Sequence, residues 1–559
     1  MRKSVLVLFA SMALASCAAS PSSSQSGFSS SEGEAVSSLS SSSEPAGPVL
    51  HVQTIPEEIP LYEGASLKVA GHEIPIRSVN CDNTHSYAYP GPNRETCGYA
   101  TFYFRGKLDI ELQLDYEIDY ETKFYPSRYG IIPFNDVSKR TISFSIDDPC
   151  TYVVEPLGDP SRAIFINAVD IEKLDRWENY VQDHPEREVI RFAPGYYDES
   201  DPRIGSDRTI NLESDTILYL EPGAVLSAMV RVNGANNVAL IGGGEITGQF
   251  FSRTEQIVPF DSTKSTNVLI SGISFIDPAA WTVNFYFTDD SRIEDVHIFS
   301  SRANGDGITL QSCNRIEVEN CFVRGFDDNL VVKNYSYPYG NPDRSTHGSS
   351  SSISFRDCYL WTDLAQSMEI GYETAGEEIK DVLFSGITVY HAFHKPVISI
   401  HNANYADVHD IVWENITVED LSTGKGDAQG NNALIEFKCL YSSNWSDKPA
   451  GGGTEIGNIH DVRVSNVLVK NKANGNPGSI VISGYVDTRA AYRGNESTVQ
   501  NVRLEDVRVA GETVEPDYGS LYVGDNVSGL EIVSTGGEIS GHDPAPRWEE
   551  VPSGEVTLV

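Results

Sequence analysis

One pattern restricts what this chain can fold into. Apolar residues recur as apolar-x-apolar-x-x-apolar-x-apolar at Val268, Ile270, Ile273, Phe275; at Ile316, Val318, Cys321, Val323; and at Ile353, Phe355, Cys358, Leu360. The pattern returns at Val382, Phe384, Ile387, Val389; at Ile411, Trp413, Ile416, Val418; at Val462, Val464, Val467, Val469; and at Val502, Leu504, Val507, Val509. A weaker copy has Ser291 ahead of Ile293, Val296 and Ile298. The copies start at 268, 291, 316, 353, 382, 411, 462 and 502, so the steps are 23, 25, 37, 29, 29, 51 and 40 residues. One short strand pattern per step of this size is the signature of a coiled solenoid. Alternation inside each half-copy points side chains in and out by turns, and the break after the second apolar residue, often SG, EN or RD, is a corner. The sequence therefore predicts an all-β chain built on a right-handed parallel β-helix, with long steps as rungs that carry an inserted loop. Paired hairpin turns of a propeller and the Leu/Asn signature of a leucine-rich repeat are missing. The third apolar place would form one buried column, with Cys321 and Cys358 in it as small hydrophobes.

The rest of the chain divides around that solenoid. Residues 1–16 read as a lipoprotein signal peptide: Arg2 and Lys3, an apolar run from Val5 to Leu14, then Leu14-Ala15-Ser16 before Cys17. Cys17 would be the lipidated first residue of the mature protein; an ordinary secretory cut nearby is the alternative. Residues 17–47 read as a Ser-rich tether with too little apolar surface to fold. Residues 48–185 carry alternating runs such as Leu108, Ile110, Leu112, Leu114 and Ile142, Phe144, Ile146, which predict a small β-sandwich of antiparallel strands. Residues 186–540 would be the catalytic β-helix, and 541–559 a C-terminal tail. These features predict an exported bacterial lipoprotein, at the cell surface or the outer face of the membrane, that meets lipid only through its N-terminal anchor.

Charge narrows the partners. Lys plus Arg number 41 against 79 Asp plus Glu, a net charge of −38. Such a surface repels nucleic-acid phosphates and anionic lipid. The cysteines show no metal-knuckle spacing, and no metal or cofactor is called for. Cys81 with Cys97 is the pair expected to form a disulfide if the protein is exported.

The exceptions to the repeat carry the chemistry. Asp306 in NGDGI follows its rung start by 15 residues, and Asp327 and Asp328 in GFDDNLVVKN follow theirs by 11 and 12. Stacking of consecutive rungs would gather three carboxylates in one patch and raise at least one pKa, the equipment for glycosidic cleavage. Calcium binding or solvated turn residues are the plain alternatives.

At these residues the chain resembles the β-helical glycoside hydrolases, the polygalacturonases and, more distantly, the dextranase and isopullulanase family. The polygalacturonase blocks are Asn-Thr-Asp, Asp-Asp, Gly-His-Gly and Arg-Ile-Lys. Asn304-Gly305-Asp306 matches the first with Gly for Thr, and Asp327-Asp328 matches the second. Gln366 stands where the third has His, and Glu436-Phe437-Lys438 keeps the Lys of the fourth but replaces its Arg by Glu. The resemblance implies Asp327 as general acid, Asp306 and Asp328 as activators of water, and inversion at the anomeric carbon. Glu436 would repel a uronate. The dextranase type also lacks that His and Arg and carries an N-terminal sandwich, so the expected substrate is a neutral α-glucan of dextran or pullulan type. A pectic substrate is the alternative, and a non-catalytic glycan-binding surface solenoid the other. A calcium-dependent lyase is the rival chemistry, with Arg324 or Lys333 as base. Candidate substrate-binding residues are Trp281, Asn284, Asn304, Lys333, Gln366, Glu369, Tyr372, Glu436 and Lys438, with Tyr286, Tyr335, Tyr337, Tyr339, His347 and Glu373 nearby in the sequence.

Overall fold

Each copy of the repeat becomes two strands separated by a corner. The residues at those corners are Gly272, Asp295, Asn320, Asp357, Gly386, Asn415, Asn466 and Asp506, and each has φ between 52° and 84°. Left-handed backbone costs little only for glycine and, through local hydrogen bonding, for Asn and Asp, so the sequence break and the bend are one fact. The corners also stack. Asn320 Nδ2 donates to Asp295 Oδ1 at 2.7 Å, and Asn466 Nδ2 donates to Asn415 Oδ1 at 2.8 Å.

The computed structural model describes residues 47–82, 95–252, 255, 257–336, 341, 343–421, 433–447 and 455–559. Among these, a 21-stranded sheet supplies two faces of the solenoid and an 11-stranded parallel sheet the third. The first rung opens at Glu188–Phe192, which pairs in parallel with Thr216–Leu220. The expected column is present. Ile387 pairs with Ile416, Ile416 with Val467 and Val467 with Val507. These residues, with Ile273, Val296, Cys321 and Cys358, are all at most 1% exposed in one core. Phe355, Phe384 and Trp413 stack in the same interior at 4.7 and 5.3 Å between ring centroids. The fold is a parallel β-helix.

Two sheets precede it. The five-stranded one (His72–Ile74, Ala65–Val69, Leu108–Leu114, Thr141–Ile146, Phe134–Asp136) is antiparallel throughout. The seven-stranded one departs from the antiparallel expectation twice. Cys150–Pro156 and Ile164–Asp170 form a hairpin whose second arm inserts beside Glu95–Arg105, and that arm is therefore parallel to it. Thr557–Leu558 returns from the far end of the chain to pair in parallel with Val49–Leu50. Residues 541–559 are thus packed against the domain, with Trp548 edge-on to Phe104 at 5.3 Å.

The helix Glu172–Asp183 bridges the two parts. Its Trp177 donates to Ser271 Oγ at 3.0 Å. It fits because residue 272 is glycine: a Cβ there would lie 2.1 Å from the indole. Phe165 of the first part packs on Phe299, Phe322 and Trp361 of the solenoid at 5.2, 5.7 and 5.3 Å. The disulfide expectation is corrected. Cys81 and Cys97 lie side by side as buried thiols that share a hydrogen bond, not a covalent bond. They sit diagonally across an antiparallel pair, Cys81 opposite Glu95 and Cys97 opposite Val79, a spacing wider than directly opposed residues have. Cys17 lies outside the described residues, as do Tyr337 and Tyr339.

Candidate active site

The third sheet builds the site. Its strands Ile308–Gln311, Leu330–Asn334, Met368–Thr374, Ile398–Asn402 and Ala433–Cys439 pair in parallel, with Ile308, Leu330, Met368, Ile398 and Ile435 in one row. Asp306, Asp328 and Gln366 each stand two residues ahead of that row, on consecutive rungs, and Asp327 stands one further back. The backbone ties these approaches together: Gly307 N–H donates to Asp328 O at 2.8 Å and Asn329 N–H to Gln366 O at 3.0 Å.

Local sequence explains the approach. A Cβ on Gly305 would sit 1.9 Å from Ser300 Oγ and 2.6 Å from Arg302 O, so the Thr of the resembling motif has no room here. Asn329 is fully buried and donates to Val323 O, Trp361 O and Thr362 Oγ1 at 3.2, 3.1 and 3.1 Å, which clamps the turn that presents both acids. Asp327 Oδ2 accepts from Asn304 N–H and its Oδ1 from Asp328 N–H, both at 3.2 Å. Asp328 Oδ1 accepts from Gln366 N–H at 3.2 Å. Asp306 and Asp328 are buried, Asp327 half-buried and Asn304 exposed.

Burial is the main reason all three carboxyls hold their protons unusually tightly. Asp306 is pushed up to about 7, with Asp327 and Glu373 adding repulsion and Lys333 opposing it. Asp328 is raised well above the carboxylate range by burial, then by Asp327 and Asp306. Asp327 is raised too, again by burial first, with Lys333 working against the shift. Lys333 sits among them. Its Nζ is 3.3 Å from Asp306 Oδ2 and 3.4 Å from Glu373 Oε2, and it lies 5.3 Å from the centre of the Trp281 ring. Thr282, the next residue, donates through N–H and Oγ1 to Asp306 O at 2.9 and 2.7 Å.

Further along the sheet, His401 Nδ1 donates to Glu369 Oε1 at 2.8 Å, and its Nε2 is 3.4 Å from Glu436 Oε1. Lys438 pairs with Glu436, and Ser399 Oγ donates to Glu369. Burial opposes a charge on His401, yet Glu369 and then Glu436 overcome it and hold the ring up to about 9. Burial likewise opposes a charge on Glu436, but His401 and Lys438 bring it down to about 2. Tyr372 stacks flat on His401 with 4.4 Å between centroids.

The site gathers Asp306, Asp327, Asp328, Asn304, Lys333, Trp281 and Gln366, with Glu369, Tyr372, Glu436 and Lys438 on the rungs beyond. Asn284 instead joins an inter-rung ladder, donating to Asp261 Oδ1 at 2.5 Å and accepting from Gln311. Tyr335 and His347 are buried in packing, His347 accepting from Ser336 N–H at 2.8 Å. Arg324 does not flank the acids. It points from the second face toward the sandwich, 3.1 Å from Asp363 and 3.4 Å from Cys97 Sγ. Glu373 stood in the sequence only as a neighbour of the third block, and His401 and Trp445 were missed as site residues. Glu373 reaches Lys333 through a register shift between Val332 and Asn334, which breaks the alternation a sequence reading relies on. His401 could have been found, because Ile398 and Ile400 point inward and leave Ser399 and His401 outward.

Among the described residues no group of three or more His, Cys, Asp or Glu side chains is arranged to hold a metal ion. A cavity of about 340 Å³ lies elsewhere, in the seam lined by Trp177, Arg292, His297 and Arg547, and none of the three acids borders it.

Residues 228–426 match the family model described as Glycosyl hydrolases family 28, a stretch that includes all three acids and Gln366 and stops short of Glu436. No curated protein matches the chain by sequence. Among solved structures, Dex49A from Penicillium minioluteum is similar over 86% of this chain and 96% of its own, with 12% identity and a TM-score of 0.54. An exopolygalacturonase from Thermotoga maritima matches over 65% and 88%, with 15% identity and a TM-score of 0.40. A family 28 exopolygalacturonase from Yersinia enterocolitica matches over 77% and 97%, with 11% identity and a TM-score of 0.40. The chain is a β-helical glycoside hydrolase, and the stretch that carries its acids on adjoining rungs, residues 228–426, is similar to glycosyl hydrolases family 28.

Proposed function

We propose that the protein is an inverting hydrolase of a neutral α-linked glucan, of dextran or pullulan type. The observation that carries the substrate reading is the pairing of charge along the third sheet. Glu436 stays ionised between His401 and Lys438, and His401 is itself shared with Glu369. A uronate carboxylate would meet two anions there and cations already matched to them. The family match equally admits a pectic polymer, and this charge pattern argues against it.

In the proposed mechanism Asp327 is the general acid. It is the most exposed of the three, so it reaches the leaving oxygen, and its raised pKa leaves it a proton to give. Asp306 and Asp328 lie beneath it and activate the water that attacks from the opposite face: Asp306, whose oxygen faces the Lys333 ammonium at 3.3 Å, is the ionised member that takes the water's proton, and Asp328 orients it. The three titrate as one cluster, and Lys333 compensates part of its negative charge. No step needs a metal or organic cofactor.

We also propose that Cys17 anchors the protein to a membrane after export, so that Cys17→Ser releases it. No helix among the described residues is long and apolar enough to cross a membrane.

Reducing-sugar release from dextran, pullulan and polygalacturonate, run in parallel, tests the reading. Release from dextran or pullulan is expected. Release from polygalacturonate alone would overturn the substrate, and binding without release from any of them would favour a glycan-binding solenoid.

A further inference from the structure

The third sheet continues past the acids to a second cluster, on neighbouring columns, which bears on substrate charge above but takes no part in breaking the bond. Glu369, Ser399 and Glu436 stand in one column, and His401 and Lys438 in the next. Tyr372 covers His401, the two rings parallel to within 1°. Trp445 then stacks on Tyr372 at 5.8 Å and 29°. Trp445 comes from the segment after Cys439, and that segment is held in place. Asn404 Nδ2 donates to Ser446 O at 2.9 Å, and Ser446 Oγ accepts from Ser442 N–H at 2.9 Å. The layers differ in access: Glu369 and His401 are at most 2% exposed, whereas Tyr372 and Trp445 are only partly buried.

We propose that Tyr372 and Trp445, seated on the Glu369–His401–Glu436 cluster, form a remote subsite that grips an uncharged sugar unit of the substrate chain away from the bond being cut. This rests on the proposed glycan-hydrolase function and extends it to substrate length. Tyr372 stands one rung beyond Asp328, so the platform starts near the acids, but the Glu436–Lys438 pair at its far rim lies three rungs beyond, roughly 14 Å at a strand spacing of about 4.8 Å. A sugar held there is therefore not the one being protonated. Aromatic faces suit the apolar face of a pyranose, and an ion pair at the rim, Glu436 with Lys438, offers an acceptor and donors to its hydroxyls. The buried cluster fixes the platform: His401 bonded to two carboxylates cannot rotate, and the rings stacked on it inherit its orientation. Binding energy from such a distance raises turnover of chains long enough to reach it and gives nothing to shorter ones.

The test compares kcat/KM of the native protein and Trp445→Ala on short and long isomalto-oligosaccharides. The loss on the longest should exceed the loss on the shortest by about tenfold, and Trp445→Phe should recover most of it. Equal losses at every length would overturn the subsite. Calorimetry in an Asp327→Asn background separates this claim from catalysis. Long isomalto-oligosaccharides should bind, and adding Trp445→Ala should weaken that binding about tenfold. Failure of the chain to cut these sugars, with this loss intact, would refute the proposed reaction and leave the subsite standing. Binding that ignores residue 445, no binding of neutral oligosaccharides at all, or Trp445-dependent binding of oligogalacturonate only would overturn the subsite as proposed.

Discussion

The solenoid buries charge on two of its outward faces, and the two treat it differently. Toward the sandwich the buried Arg324 has its counter-ion, Asp363 at 3.1 Å, and His391 hydrogen-bonds to Glu155 at 2.6 Å, within an aromatic layer of Phe299, Phe322, Trp361 and Tyr390. On the third sheet four carboxylates, Asp306, Asp327, Asp328 and Glu373, surround Lys333. Matched ions lock a seam. Unmatched carboxylates raise one another's proton affinity, a cost to stability that fits a reactive site. The same repeat scaffolds both, so the difference lies only in what the outward positions carry.

The largest expected effect breaks the matched side. Arg324→Met leaves Asp363 buried without its guanidinium and should cost about 3–5 kcal/mol in chemical denaturation, while Arg324→Met with Asp363→Leu should recover much of that loss. If the single variant is as stable as the native protein, the seam does not depend on this pair.

Next comes the unmatched side, where removing charge should stabilise. The fold raises the pKa of Asp328 well above the carboxylate value of 3.8, so it favours the protonated acid. Native stability therefore falls as pH climbs from that value through the raised one. Asp328→Asn should melt a few degrees higher at pH 8, with the gain shrinking toward pH 4, while kcat drops at every pH. A gain of the same size at both ends would mean the carboxyl is not strained.

The smallest expected effect is on selectivity. Glu436→Arg exchanges the anion held by His401 and Lys438 for a cation. The kcat/KM ratio of neutral glucan to oligogalacturonate should fall roughly tenfold. An unchanged ratio would remove the charge argument for a neutral substrate.

How much of this was legible in the sequence follows from the same contrast. Inward positions of every rung meet the same stacked environment, so Ile273, Val296 and Cys321 announce their column one after another. Corners need left-handed backbone, so Gly272, Asn320 and Asp506 announce the bends. Asp306 and Asp328 were legible because each follows the apolar pattern of its rung by about one face, 15 and 12 residues after the rung starts. What was not legible depends on pairings the repeat does not encode. Thr557–Leu558 pairs with a strand some 500 residues away. Glu373 depends on a local register shift, and Trp445 on an insertion that follows no period. Arg324 is near Asp327 in sequence but not part of its site: Val323 points inward, so Arg324 points out of the second face, before the chain turns to present the acids.

The central claim is that the three-acid patch cuts a glycosidic bond with Asp327 as proton donor. The most direct measurement is kcat of Asp327→Asn on the natural glycan beside kcat on a glycoside whose leaving group departs without protonation. The glycan rate should fall by at least about 100-fold, and the activated glycoside should keep most of its native rate. Near-native turnover of the glycan by Asp327→Asn, or an equal loss on both substrates, would contradict it.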